Sequence, residues 1–132
     1  MMRQRFGFSV SGGTVITDTG PTMFGEIAQM RWYHGADTGQ PGTLEVAAVL
    51  DPADTGQDWV IYSAAVANFG APFTKALRQP QHGSDGAADP ADTGAQFGVP
   101  IALAGERLRV KITPTDTGVV ISNGKLYVWT RE

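Results

Sequence analysis

The chain has 132 residues, which suits one domain with a substantial core. Ten basic and thirteen acidic residues leave a formal net charge of −3, and there is no cysteine. That thin, mixed charge predicts no phosphate-binding face and no nucleic-acid partner. The absent cysteines exclude a disulfide framework and a thiolate zinc site.

No run approaches the length of a membrane span, so no membrane partner is expected. The first eight residues hold Arg3 and Arg5 but lead into no signal-peptide core, which predicts a soluble protein made in the cytoplasm. Seventeen glycines and eight prolines separate short apolar runs, the spacing of an all-β chain with many turns.

In chain order, a short N-terminal arm of about residues 1–12 carries a weak strand at 6–10, and a second weak strand follows at 14–17. Residues 26–33 alternate, with Ala28, Met30 and Trp32 on one face and Ile27, Gln29, Arg31 and Tyr33 on the other. Residues 43–50 put Leu44, Val46, Ala48 and Leu50 on one face. Residues 58–65 are aromatic and β-branched on both faces, as in a central strand. Weaker strands are predicted at 73–78, 97–103 and 119–122. Residues 79–94 form the longest stretch of low hydrophobicity and read as an exposed loop.

Residues 106–113 alternate cleanly, with Leu108, Val110 and Ile112 inward and Arg107, Arg109 and Lys111 outward. Asn123-Gly124 is a tight-hairpin signal, because both residues tolerate positive φ. The final strand, 125–130, turns Leu126 and Val128 inward and therefore Tyr127 and Trp129 outward. Eight to ten short strands with polar turns predict one domain, 1–132, built as an antiparallel β-sandwich or jelly-roll-like barrel.

The triplet Asp-Thr-Gly occurs five times, at 18–20, 37–39, 54–56, 92–94 and 116–118. It is also the catalytic triplet of aspartic proteases, which need two carboxylates close enough to share a proton. A catalytic triplet has no reason to recur in polar loops. A turn device does: Asp accepts a backbone N–H two residues on, and Gly supplies positive φ. The triplets therefore read as turns, and no catalytic residue is assigned.

The histidines, His34 and His82, lie among loop residues without metal-pair spacing. The acids at 85–92 lack the alternate spacing of an EF-hand. No metal or other cofactor is assigned, and calcium in the loop at 85–92 stays open as the alternative.

The layout of residues 24–132 resembles small β-sandwich structural proteins of tailed bacteriophages. The segments that carry the likeness are "EIAQMRWYHG", "TLEVAAVLDPADTGQDWVIYS", "LAGERLRVKIT" and the closing "NGKLYVWTRE". The resemblance implies a non-enzymatic virion component, foremost a capsid decoration (cement) protein. Such a protein binds the major capsid protein or other virion subunits in many copies, with a homotrimer favoured. A neck or tail component is the alternative within the family. A carbohydrate-binding sandwich using exposed Trp and Tyr is the alternative of another class.

The candidate contact residues are Arg3, Arg5, Phe6 and Phe8 of the arm, together with Tyr127 and Trp129.

Overall fold

The computed structural model describes residues 2–10, 15–33, 40–51, 53, 58–75, 78–80 and 98–131. These residues form nine strands: β1 (Met2–Val10), β2 (Ile16–Tyr33), β3 (Gly42–Val49), β4 (Trp59–Val66), β5 (Phe73–Lys75), β6 (Arg78–Pro80), β7 (Gly98–Pro100), β8 (Ala102–Pro114) and β9 (Ile121–Arg131). The chain is all-β, as its composition predicts. Seven strands join in one antiparallel sheet along the path β1-β9-β2-β8-β3-β4, with β5 also on β2, while β6 and β7 form a separate ribbon.

The sheet becomes a two-layered structure because its longest strand serves both layers. The first part of β2, from Ile16 to Glu26, pairs with β8. The second part, from Glu26 to Tyr33, pairs with β9. At the junction Gly25 has φ 99°, and Gly105 on the neighbouring β8 has φ 104°. An L side chain rarely adopts that backbone, and glycine does so without strain. Register shifts in the β2–β8 ladder at Thr19–Thr22 and Thr22–Phe24 mark the same corner as bulged. Bulges bend strands, so the corner lets one ladder turn over the core.

Between the layers lies one apolar cluster. Phe6 and Phe8 of β1, Met30 and Trp32 of β2, and Leu126 and Val128 of β9 come from one side. Leu44, Val46 and Ala48 of β3 and Leu108, Val110 and Ile112 of β8 come from the other. Trp32 is fully buried, and its indole N–H donates to the Phe69 carbonyl at 2.8 Å. Its ring packs edge-on to Phe69 at 5.2 Å and stacks near Phe73 at 6.3 Å.

Several expectations need correction. Phe6 and Phe8 are 0% and 3% exposed, so they fill the core rather than a contact arm. Residues 2–10 are an edge strand hydrogen-bonded to β9. Among the described residues β4 is also an edge strand, paired there with β3 alone. Its apolar character on both faces does not reflect a central position, and Trp59 stays 43% exposed. Ile27 is buried, because a bulge between Ile27 and Gln29 shifts it to the core side ahead of Ala28. Leu50 lies just past the end of β3 and is 76% exposed.

Asn123-Gly124 makes no hairpin. Asn123, at φ 56°, sits within β9 where the β1–β9 register shifts. Gly124 is there because Trp32 approaches it: a Cβ would stand 2.4 Å from the indole Cη2.

Candidate interaction face

The outer surface of the β1–β9–β2 layer is built by alternation. With Phe6, Phe8, Leu126, Val128, Met30 and Trp32 directed into the core, their neighbours along each strand must face away. The ladder then fixes which of these outward residues lie side by side. Arg3 sits opposite Trp129, Arg5 opposite Tyr127, and Gly7 opposite Lys125. On the other side of β9, Gln29 sits opposite Trp129, Arg31 opposite Tyr127, and Tyr33 opposite Lys125. Glu26 faces Arg131 at the end of the ladder.

The result is an aromatic centre with cations around it. Tyr127 and Trp129 stand 5.9 Å apart with ring planes 30° from parallel. Tyr33 meets Tyr127 edge-on at 5.6 Å. The Arg3 guanidinium lies over the Tyr127 ring at 5.2 Å, and that of Arg31 over the Trp129 ring at 5.5 Å, both cation–π contacts. Arg31 Nη1 also donates to the Tyr33 hydroxyl at 3.2 Å. Arg3, Tyr33, Lys125, Tyr127 and Trp129 line a shallow groove of about 350 Å³.

Five of the chain's ten basic residues lie on this face: Arg3, Arg5, Arg31, Lys125 and Arg131. The sequence predicts no basic face because these residues are scattered between positions 3 and 131; the ladder collects them. Among the described residues Glu26 is the one acid in register with them. Among the described residues none of the five has an acidic side chain within salt-bridge distance. On the other layer Arg109 pairs with Asp58 at 2.7 Å and Lys111 with Glu45 at 3.3 Å, while the exposed Arg107 has no acidic side chain within salt-bridge distance among the described residues.

Of the contact residues expected from the sequence, the structure brings together Arg3, Arg5, Tyr127 and Trp129. Phe6 and Phe8 leave the set for the core. Arg31, Tyr33, Lys125 and Arg131 join it. The alternation of residues 26–33 already places Arg31 and Tyr33 opposite Met30 and Trp32. Missing from the sequence was the fact that β1 and β2 flank β9.

The repeated triplet takes two forms where it is described. At 116–118 it is the expected turn, with the Asp116 carboxylate accepting the Gly118 N–H at 2.8 Å. At 18–20 it is not a turn, and this corrects the sequence reading: Asp18 lies inside β2 opposite Val110, with Thr19 opposite Arg109. The triplets at 37–39, 54–56 and 92–94, both histidines, and the acids at 85–92 lie outside the described residues.

The chain matches no protein-family model, no curated protein and no solved structure.

Proposed function

We propose that this protein is a non-enzymatic virion component that docks onto a phage head shell as a capsid decoration protein. It stabilises the shell by binding only its assembled form, which is mass action in favour of the bound state. The observation that carries the reading is the outer face of β9. There Tyr127 and Trp129 stay half-buried on the side of the strand away from the buried Leu126 and Val128. Large aromatics and arginines at the centre of a patch are the residues that carry binding energy in protein interfaces. Many copies act together, as a homotrimer, and a place at the neck or tail would use the same face.

The carbohydrate-binding alternative is weaker. A sugar platform presents open ring faces, whereas guanidinium groups already lie over Tyr127 and Trp129.

The test is the double variant Tyr127→Ser plus Trp129→Ser. Each aromatic at a packed interface contributes on the order of 2 kcal/mol, so binding should fall by at least tenfold. The readout is co-sedimentation with undecorated phage heads. Circular dichroism should show the wild-type fold. Wild-type protein that does not pellet with heads would sink the proposal. So would a folded double variant that pellets as well as wild type.

A further inference from the structure

We infer that the β1–β9–β2 face is a carboxylate-binding surface whose occupant is an acidic patch on another protein, gripped by Arg3 and Arg31. This rests on the docking reading above and gives its partner a chemistry.

The first support is charge left over. Arg3, Arg5, Arg31, Lys125 and Arg131 share one face without an acidic partner in salt-bridge distance among the described residues, while Arg109 and Lys111 on the other layer are paired within the chain. Gathering like charges is unfavourable unless something outside neutralises them. The chain as a whole is acidic, so general basicity does not account for the patch.

The second support is that two guanidinium groups are held ready. Arg3 lies on Tyr127, and Arg31 lies on Trp129 while donating Nη1 to Tyr33. The Nε of Arg31 is buried and has no hydrogen-bond partner among the described residues. A guanidinium stacked on a ring keeps N–H groups at its outer end; in Arg31 these are on the two Nη nitrogens, because Nε is buried. That end fits a carboxylate through two parallel hydrogen bonds. Holding it in place beforehand lowers the entropy lost on binding.

The third support is shape, and it separates the possible anions. A single-stranded nucleic acid needs a track of cations beside open aromatic faces. Here the cations form a ring. Arg3 and Arg5 stand on one side of the Tyr127–Trp129 pair, Arg31 on the other, and Lys125 and Arg131 beyond its two ends along β9. The ring faces that a base or sugar would take are covered by guanidinium groups. An aromatic centre with a charged rim is the anatomy of a protein–protein contact.

The experiment has two arms, run at pH 7.5 on the whole chain. In the first, wild type, Arg3→Gln/Arg31→Gln and Arg3→Lys/Arg31→Lys are applied to a carboxymethyl surface and eluted with salt. Wild type should be retained in spite of its net negative charge. The Gln pair should flow through. The Lys pair, which keeps the charge but loses the fork, should elute clearly before wild type. In the second arm, binding of poly-L-glutamate, an oligo-deoxythymidylate and polygalacturonate is compared at equal charge concentration. Poly-L-glutamate should bind at least fivefold more tightly than either competitor, and binding should weaken tenfold or more in the Gln pair.

Flow-through of the wild type would overturn the proposal, as would co-elution of the Lys pair with wild type. A preference for the oligonucleotide would make the occupant a nucleic acid, and a preference for polygalacturonate an acidic glycan; either overturns the assignment. Poly-L-glutamate binding by a protein that ignores phage heads would separate the two claims. The carboxylate chemistry would then stand while the virion reading fell.

Discussion

Gly124 shows how a single residue can be read correctly for the wrong reason. In sequence Asn123-Gly124 signals a hairpin, and Asn123 does take positive φ, 56°. The glycine itself is required by a residue ninety-two positions away in sequence, Trp32. Trp32 cannot retreat, because its N–H is bonded to the Phe69 carbonyl and its ring is packed by Phe8, Phe69 and Phe73. Gly124→Ala should therefore cost about 1–3 kcal/mol, the usual cost of overpacking a tight core. Gly7→Ala is the control: on the same β1–β9 ladder, its new methyl would meet nothing within 4 Å. Urea denaturation of both should show a lower midpoint for Gly124→Ala and no loss for Gly7→Ala. Equal midpoints would mean that the Trp32 contact is not tight. No local pattern announces a requirement set by such a distant side chain.

At the scale of elements, alternation makes the straight strands legible and the bends illegible. The residues 106–113 give β8 its inward Leu108, Val110 and Ile112 correctly, and 125–130 does the same for β9. Both strands are longer than their alternating cores. β8 already starts at Ala102 and runs through Gly105, whereas the sequence reading begins the strand at 106, because glycine signals a turn and a bend with equal strength. β2 likewise absorbs the Asp18-Thr19-Gly20 triplet that reads as a turn.

The edge position of β4 was hidden for a different reason: exposure depends on which strand comes next, and nothing within 59–66 says that none does among the described residues. If Gly105 makes the corner at φ 104°, then Gly105→Ala should destabilise the protein by about 1–3 kcal/mol through backbone strain alone. Its Cβ meets nothing closer than the Phe24 ring at 3.6 Å, so steric packing would not be the cause. The expected signature is a lower urea midpoint with an unchanged slope. An unaltered midpoint would show that the corner accommodates an L residue.

For the whole molecule, fold class was within reach of the sequence, as was the core apart from Phe6, Phe8 and Ile27, and the interaction face only in part. Tyr127 and Trp129 were found by alternation along one strand. Their company was not, since Arg3 and Arg5 come from the first strand, Arg31 and Tyr33 from the second, and topology alone sets these beside the last. The same topology gives the molecule two unlike ends: a basic aromatic layer at β1–β9–β2, and an edge at β4 with Trp59 and Val60 exposed.

On the proposed function, the basic aromatic layer is the surface that meets the shell. Hydroxyl-radical footprinting of the free and head-bound protein, read by mass spectrometry, tests it most directly. Tyr33, Tyr127 and Trp129 should lose reactivity at least threefold on the shell while Trp59 keeps the reactivity it has in the free protein. Unchanged labelling of Tyr33, Tyr127 and Trp129, with protection falling on Trp59 instead, would contradict it.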